Sequence, residues 1–250
     1  MALEHRTKYV GSGDNAVLKH VRKLFRDRSY RYERGEFVVE GYRIFDSVRD
    51  VKTILLREES HLPEGNFPGC AIIRVEGRVF DKLPENGGGP GPIAVCSLPG
   101  EVPLGPRGRY VYLDGVQDPG NTGTIIRTAA AFGLDGVLFG PGCADPFGPK
   151  TVRSAAGAVF KIPVIALSDP DIFSDRFVIA ADMQGVPVHK VSVPDDFILA
   201  LGNEGKGLSD AVRKICGAAV SVPMRQNVES LNVAVSASII LYELCRIKSY

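Results

Sequence analysis

Short apolar runs alternate with helix-like segments throughout the second half of the chain. The runs VYL, VLF, FVIA and FILAL contain almost no polar residue, and turn-forming stretches separate them. Strands that are apolar on both faces are typical of a parallel sheet covered by helices on both sides. We therefore predict an α/β fold here. The predicted strands are 110–114, 136–139, 177–181, 197–201 and 218–222, and the predicted helices lie near 122–132, 149–158, 207–216 and 231–246.

The first hundred residues show a smaller α/β pattern. Leu18, Val21 and Phe25 recur at helical spacing, after a predicted helix cap at Asp14 or Asn15. Residues 37–48 begin as a strand and continue as a helix. Further short strands are predicted at 51–56, 70–75 and 92–98.

Residues 15–34 are strongly basic, with seven Lys or Arg against two acidic residues. Such a face suits nucleic-acid phosphates, whose contacts position the nucleic acid without reading its sequence. A solvated charged surface is the alternative interpretation. Tyr30, Tyr32 and Tyr42 could stack on bases or belong to the core. The candidate phosphate-binding residues are Lys19, Arg22, Lys23, Arg26, Arg28 and Arg31.

Two stretches rich in Pro and Gly separate the two patterns: NGGGPGP at 86–92 and SLPGEVPLGPRGR at 97–109. Neither can hold a helix or a central strand, so both are predicted to be turns or linkers. A chain of 250 residues, 44% of them hydrophobic, is long enough to form two cores. We place the domains at 1–104 and 105–250.

Composition excludes several classes of protein. The formal net charge is +1, so overall charge indicates no partner. The five cysteines include no C-x-x-C pair, which argues against a zinc site, and we predict no metal. Dispersed thiols in odd number suit a reducing cytosol. With neither a signal peptide nor a membrane-spanning run in the sequence, we expect a cytoplasmic protein.

The first candidate motif is LDGVQDPGNTGTIIRTAAAFG at 113–133, where a strand leads into a helix. Ligands of open α/β sheets bind at the carboxyl ends of such strands. We predict that Asn121 is the N-cap, that Gly133 ends the helix, and that Arg127 points into a cleft. The alternative is an ordinary turn followed by a surface arginine.

Two further strand ends carry polar groups. In FILALGNEGKGLS at 197–209, glycines flank Asn203, Glu204 and Lys206, and glycine lets a backbone approach a ligand closely. A flexible loop with a solvated Glu204 is the alternative. In the stretch from 222 to 244, Glu229 or Ser230 could cap the last helix, which leaves Asn232 in its first turn unexplained.

Together these stretches resemble the three motifs of the SpoU/TrmH group of SPOUT methyltransferases. The matching patterns are N-x-G-x-x-x-R at Asn121, Gly123 and Arg127, G-N-E-G-x-G-L-S at 202–209, and P-M…E-S-L-N-V at 223–233. ADPFGPKTVRSAAGA at 144–158 also looks like the family, so the resemblance covers 108–250. NAVLKHVRKL and FVVEG resemble the ribosomal-protein-like RNA-binding domain of rRNA-modifying members.

The resemblance implies transfer of a methyl group from S-adenosylmethionine to a ribose 2′-hydroxyl of RNA. It implies a C-terminal SPOUT domain with a deep trefoil knot, which connection rules would not predict. It further implies a homodimer to which the last helix contributes. By matching position, the cofactor-binding residues are Gly202, Asn203, Val222, Met224 and Leu231.

The resemblance also implies catalytic residues. Arg127 would stabilise developing negative charge and anchor a phosphate, because a guanidinium is too basic to accept the hydroxyl proton. Asn121 would position the arginine or the ribose. Glu204 would fix the loop or the arginine, with a role as base left open. Ser230 and Asn232 would hydrogen-bond the substrate or the active-site loops.

Several alternatives stay open. Many relatives have glycine where this chain has Gln226, whose side chain could narrow the cofactor loop or touch the substrate. We expect large-subunit (23S) rRNA as the substrate, with tRNA as the alternative, and an antibiotic-resistance role is compatible with the sequence. A knotted RNA-binding protein without catalysis is a further alternative, against which the intact motif residues argue.

Overall fold

The computed structural model of the chain describes residues 7–84, 91–173, 175–225 and 230–246. The chain forms two compact units. Unit 1 comprises Met1–Gly100 and Phe147–Phe160, and unit 2 comprises Glu101–Pro146 and Lys161–Tyr250. Among the described residues, no helix is long and apolar enough to cross a membrane.

Strands and helices alternate along most of the chain. The strands are β1 Thr7–Val10, β2 Glu36–Glu40, β3 Val51–Arg57, β4 Ala71–Val75, β5 Ile93–Ser97, β6 Arg109–Asp114, β7 Gly136–Phe139, β8 Val164–Ala166, β9 Val178–Pro187, β10 Phe197–Gly202 and β11 Ala218–Ser221. The helices are α1 Ala16–Arg26, α2 Arg28–Arg34, α3 Tyr42–Phe45, α4 Gly77–Phe80, α5 Pro119–Ala131, α6 Pro149–Ala155, α7 Asp210–Ile215 and α8 Val233–Leu244.

Unit 1 is built on a five-stranded mixed sheet in the order β1-β4-β3-β5-β2. The side chain of Asn15 caps α1 by accepting a hydrogen bond from the Val17 N–H at 2.9 Å, as predicted. Leu18 and Val21 are buried against sheet residues such as Leu55. The predicted strands at 51–56, 70–75 and 92–98 and the strand-to-helix segment 37–48 are confirmed.

The segment 147–160 packs inside unit 1, although it lies far along the sequence from most of that unit. The rings of Phe147 and Phe160 lie 5.1 Å and 5.6 Å from the ring of Phe37, which is fully buried. Arg153 Nη2 donates to Glu40 Oε2 at 2.6 Å. The aromatic cluster and this ion pair therefore tie the segment to strand β2 and its end.

The prediction of six phosphate-binding cations is wrong for one of them, Arg31. Its side chain is only 4% exposed, and Nη1 donates to the Leu24 carbonyl oxygen at 2.6 Å. The last carbonyl groups of a helix lack partners within it, and here the guanidinium supplies one for α1. Arg31 is therefore a structural residue. The other five cations are exposed or half-buried: Lys19, Arg22, Lys23, Arg26 and Arg28.

Unit 2 is built on a six-stranded, fully parallel sheet in the order β11-β9-β10-β6-β7-β8. Five of its strands lie where the apolar runs predicted them. Strand β8 has only three residues and was not predicted. Tyr112 is buried on β6, and its ring packs edge-on against that of Phe173, with centroids 5.1 Å apart and planes inclined by 72°. Helices α5, α7 and α8 pack on this sheet as predicted, whereas α6, predicted at 149–158 among the helices of this half of the chain, belongs to unit 1.

Candidate active site

Three strand ends of unit 2 meet at one edge of its sheet. Strands β6 and β10 are paired in register, so that their last residues, Asp114 and Gly202, lie side by side. Asp114 Oδ2 accepts a hydrogen bond from the Ser209 N–H at 2.6 Å, which fixes the far end of the loop after β10. The carboxyl ends of parallel strands are where α/β folds bind their ligands.

Glu204 joins the loop after β10 to the loop after β6. Its Oε1 accepts hydrogen bonds from the Asp118 N–H at 3.1 Å and from Asn121 Nδ2 at 3.0 Å. Its Oε2 accepts one from the Gln117 N–H at 3.2 Å. These contacts are those of a carboxylate that fixes the geometry of the loops. Arg127 is not among these hydrogen-bond partners of Glu204.

A chain of side-chain hydrogen bonds continues from Glu204 to the last helix. Asn232 Nδ2 donates to Asn121 Oδ1 at 2.8 Å, and Asn121 Nδ2 donates to Glu204. Asn232 Oδ1 meanwhile accepts from the N–H groups of Ala234 and Val235, which makes Asn232 the N-cap of α8. One residue from each motif thus forms a single polar network, in which both amides donate toward the carboxylate.

The predicted N-cap of α5 was wrong, and so was the alternative that Ser230 caps α8. Helix α5 begins at Pro119 and its N-cap is Asp118, whose carboxylate accepts from the Asn121 N–H at 2.8 Å. Asn121 thereby lies inside the first turn, where its side chain joins the network. The N-cap of α8 is Asn232, and Ser230 instead lines the neighbouring pocket. Glu229 lies outside the described residues, as does Gln226.

The network lowers the pKa of Glu204. Partial burial of the carboxyl by itself would raise that pKa. Hydrogen bonds from the Asn121 side chain and from the backbone N–H groups of Glu204, Asp118 and Gln117 outweigh the burial. The carboxylate therefore stays ionised at neutral pH, and its depressed pKa makes it a weak proton acceptor.

Gly202, in the second motif, is required by the chain's own backbone. A Cβ on Gly202 would overlap the backbone of Gly207 and Leu208. Asn203 holds the loop by donating to the Gly115 carbonyl at 2.8 Å and by accepting from the N–H groups of Gly205 and Lys206 at 3.0 Å. The loop is therefore a tight, internally bonded turn, in which Glu204 is exposed to solvent yet hydrogen-bonded.

These loops line a pocket of about 630 Å³. Its wall contains all five residues expected to bind the cofactor: Gly202, Asn203, Val222, Met224 and Leu231. It also contains three of the expected catalytic residues: Glu204, Ser230 and Asn232. The sequence prediction missed Asp182, Met183 and Arg213 in the same wall. The available signal was a polar residue, Asp182, placed directly after the apolar run FVIAA.

Arg127 lies elsewhere on unit 2. Its side chain is exposed on α5 and does not line the pocket. The prediction that Arg127 points into a cleft is therefore wrong for the single subunit. Helix α5 packs against α8, whose exposed apolar residues are Val235, Ile239 and Tyr242. The apolar neighbours of Arg127 on α5, Ile125 and Ile126, are buried, which leaves the arginine on the opposite, outer face.

A parallel sheet with a glycine-lined pocket at its strand ends places unit 2 among the α/β enzymes. Within that class, the chain belongs to the SpoU rRNA Methylase family. The sequence model of that family matches residues 108–242, more than half of the chain. The resemblance found in the three motifs is thereby confirmed.

Similar proteins match over nearly the whole chain. The 23S rRNA (guanosine(2553)-2′-O)-methyltransferase RlmP of Bacillus subtilis (strain 168) is 34% identical over 247 residues, covering 95% of this chain and 99% of the relative. The 23S rRNA (uridine(2479)-2′-O)-methyltransferase of Streptomyces viridochromogenes is 32% identical over 259 residues, covering 93% and 90%. The similarity therefore includes the N-terminal part as well as the family motifs.

Solved structures share the fold. The SpoU methyltransferase AviRb from Streptomyces viridochromogenes, in complex with AdoMet, matches with a TM-score of 0.82 and 29% identity, covering 93% of this chain and 97% of that chain. An AdoMet-bound rRNA methyltransferase from Sinorhizobium meliloti matches with a TM-score of 0.81 and 27% identity, covering 98% and 99%. The α/β architecture is thus that of SpoU methyltransferases.

Replacing Asn121 by Ala should raise the pKa of Glu204, because the burial that opposes ionisation stays while a hydrogen bond to the carboxylate is removed. NMR titration of the side-chain carboxyl carbons measures this pKa directly. Since the folded pKa lies below the ordinary value, the stabilisation by Glu204 is complete at neutral pH and is lost as the pH falls through that folded pKa. Thr124→Ala, on the exposed side of the same helix, serves as control. An unchanged Glu204 pKa in Asn121→Ala would contradict the network.

Proposed function

We propose that this chain transfers a methyl group from S-adenosylmethionine to a ribose 2′-hydroxyl of 23S rRNA. The observation that carries the proposal is the Asn232–Asn121–Glu204 network, which joins all three family motifs at the edge of one pocket. The names of the relatives, which are 23S rRNA 2′-O-methyltransferases, support the substrate. Such a substrate is consistent with a cytoplasmic protein.

The pocket fits S-adenosylmethionine by size and chemistry. A volume of about 630 Å³ lies within the usual range for sites of molecules of this size. Val222, Leu231 and Ile240 give apolar surface for the purine. The zwitterionic amino-acid end needs both signs of charge, and the wall offers carboxylates and cations such as Glu204 and Lys206. We assign cofactor binding to Gly202, Asn203, Val222, Met224 and Leu231.

The bound cofactor supplies an electrophilic methyl group, and the residues of the chain must prepare the acceptor. A ribose hydroxyl has to lie in line with that methyl, and negative charge on its oxygen must be stabilised as its proton leaves. The network at Asn121 and Glu204 holds the loops against each other before substrate arrives. Ser230 and Asn232, in the pocket wall, are placed to hydrogen-bond the ribose.

Arg127 is proposed to stabilise the developing charge from a subunit interface. It is exposed on α5, the helix that packs on α8. Tyr242 on α8 is 58% exposed, and its ring lies 6.1 Å from that of Phe132, which follows α5. A homodimer formed through this surface would bury the apolar residues. It would also desolvate the guanidinium and strengthen its pull on a phosphate or an alkoxide.

The two sequence domains, 1–104 and 105–250, are proposed as an RNA-binding domain and a catalytic SPOUT domain. In unit 1, Lys23 Nζ lies 5.2 Å above the ring of Tyr30 and Arg28 lies 5.7 Å above that of Tyr32. Exposed cations beside aromatic rings suit an RNA strand, which offers phosphates and stacking faces. These features support a ribosomal-protein-like role for the N-terminal domain.

We further propose that the catalytic domain contains the trefoil knot of its family. Support comes from the neighbours of α8, which packs on α5 and contacts β9 and β10. Its cap, Asn232, is bonded to Asn121 near the first motif. A crystal structure with an unthreaded path between β11 and α8 would contradict the knot.

Arg127→Ala should lower the single-turnover rate of 23S rRNA methylation by roughly 100-fold or more, the scale seen when an oxyanion-stabilising group is removed. The affinity for S-adenosylmethionine should stay unchanged, because Arg127 does not line the pocket. Tritiated-methyl transfer measures the first quantity and calorimetry the second. Arg107→Ala, an exposed arginine before the amino end of β6, is the control. Near-normal methylation by Arg127→Ala would refute the proposed role of Arg127. Methyl transfer by the wild-type protein to tRNA alone would refute rRNA as the substrate.

Replacing Lys23 and Arg28 together by Gln should weaken rRNA binding and lower the salt dependence of that binding, by about one unit of slope for each phosphate that is no longer neutralised. Filter binding at several salt concentrations gives both values. The matched control is Lys8→Gln, an exposed lysine on strand β1 of the same unit. An unchanged salt slope in the double variant would show that this face is only solvated.

Ile239→Arg should convert the proposed dimer to monomer, because a charge would be buried at the centre of an apolar interface. A loss of about 2 kcal/mol at such a position corresponds to roughly a 30-fold weaker association. Analytical ultracentrifugation over a range of concentrations measures it. Val102→Arg places the same charge at an exposed apolar residue away from α8. A monomeric wild-type protein, or a variant that dimerises equally well, would exclude this interface.

A further inference from the structure

Strand β9 carries a bulge over the pocket. Its pairing with β10 ends at Ala180. In its pairing with β11, Ala180 lies opposite Ala219 and Val186 lies opposite Val220. Ala219 and Val220 are consecutive, so the five residues of β9 between Ala180 and Val186 have no partner residue on β11. We name residues 181–185 the β9 bulge. Ala181, Asp182 and Met183 line the pocket, and Met183 is 63% exposed.

The base of the β9 bulge is rigidly held. A Cβ on Gly185 would lie 2.6 Å from backbone atoms of Ala219 and Val220, so the bulge returns to the sheet in direct backbone contact. Ser221 Oγ donates to the Gly185 carbonyl oxygen at 2.8 Å. At the other end, Asp182 Oδ1 accepts from the Gln184 N–H at 3.0 Å, which closes a local turn.

One ion pair connects Asp182, in the β9 bulge, with Arg213 on α7, next to the facing wall of the pocket. Arg213 Nη1 donates to Asp182 Oδ2 at 2.7 Å, and Arg213 Nε donates to the Leu208 carbonyl oxygen at 3.2 Å. Leu208 belongs to the glycine-rich loop after β10, whose residues form the facing wall. The pKa of Asp182 is lowered, first by the Gln184 N–H and then by Arg213, so the pair is ionised at neutral pH.

This ion pair contributes little to the stability of the fold. The side chains of Arg213 and Asp182 are 48% and 20% exposed. Pairs so accessible to water typically contribute between zero and about 1 kcal/mol. The geometry of the pair is nevertheless specific, because it fixes the distance between two walls of one pocket. Its effect should therefore appear in ligand binding rather than in unfolding.

We propose that the Asp182–Arg213 pair is a clamp that sets the β9 bulge over the pocket and thereby raises the affinity for S-adenosylmethionine. This proposal rests on the proposed function. Both are positioning residues, which hold Met183 and the backbone of the bulge in the wall of the pocket proposed for the cofactor. A bulge fixed before binding loses less conformational freedom when the ligand arrives, and that difference appears as affinity. The soft thioether of Met183 suits the face of a purine.

The test is a double-mutant cycle on the affinity for S-adenosylmethionine and for S-adenosylhomocysteine, measured by calorimetry. Arg213→Ala and Asp182→Ala should each weaken binding by about 5- to 10-fold, which lies within the net range of one ordinary hydrogen bond. The double variant should bind no worse than either single variant, because one clamp is removed in all three. Lys214→Ala, the neighbouring exposed cation on α7, should bind normally.

Two further measurements separate a clamp from a direct interaction with the ligand. Without ligand, hydrogen exchange of the amides in 181–185 should be faster in Arg213→Ala than in wild type, while the melting temperature barely changes. At saturating cofactor, the methylation rate should remain within about 2-fold of wild type, so that the loss falls on KM. Asp182→Asn keeps the local turn and provides a milder variant should Arg213→Ala fold poorly.

The outcomes discriminate clearly. Additive losses in the double variant, or unchanged hydrogen exchange in Arg213→Ala, would overturn the clamp and indicate two separate interactions with the ligand. Normal binding by both single variants would also overturn it. Failure of the wild-type protein to bind either ligand would instead overturn the proposed function.

Discussion

The hydrogen bonds that meet at the Glu204 carboxylate are the interaction on which the pocket depends. Three loops that are distant in sequence converge there. The carboxylate accepts from two backbone N–H groups of the first loop and from Asn121, which in turn accepts from Asn232 at the start of α8. Charge-assisted hydrogen bonds are stronger than neutral ones, so the charge on Glu204 organises the loops.

Glu204 and Arg127, two charged residues of the family motifs, therefore have different roles in the proposed reaction. Glu204 is held ionised by its donors, which suits a fixed anchor and does not suit proton transfer near neutral pH. Arg127 is exposed on the outer face of α5, and in the proposed dimer a second subunit would cover it. The chemistry of the proposed reaction needs both: preorganised loops to orient a hydroxyl, and a cation placed where charge develops.

Much of this could be predicted from the sequence, because short apolar strands indicate a parallel sheet and three motifs fix which loops meet. The helix caps could not, since Asp118, Asn121 and Asn232 are all good caps and only tertiary contacts decide which side chain is used. Arg31 looked like a surface cation because periodicity does not reveal that the end of α1 needs a donor. The β9 bulge was missed because its register depends on a pairing with β11 that no local pattern encodes.

The inclusion of residues 147–160 in unit 1 has a consequence for biosynthesis. Chains emerge from the ribosome amino end first, and domains generally fold as units once their residues are available. Phe147 and Phe160, which flank the buried Phe37, are made only after β6, α5 and β7. The first hundred residues must therefore wait, with part of an aromatic cluster still uncovered, until about two thirds of the chain has been synthesised.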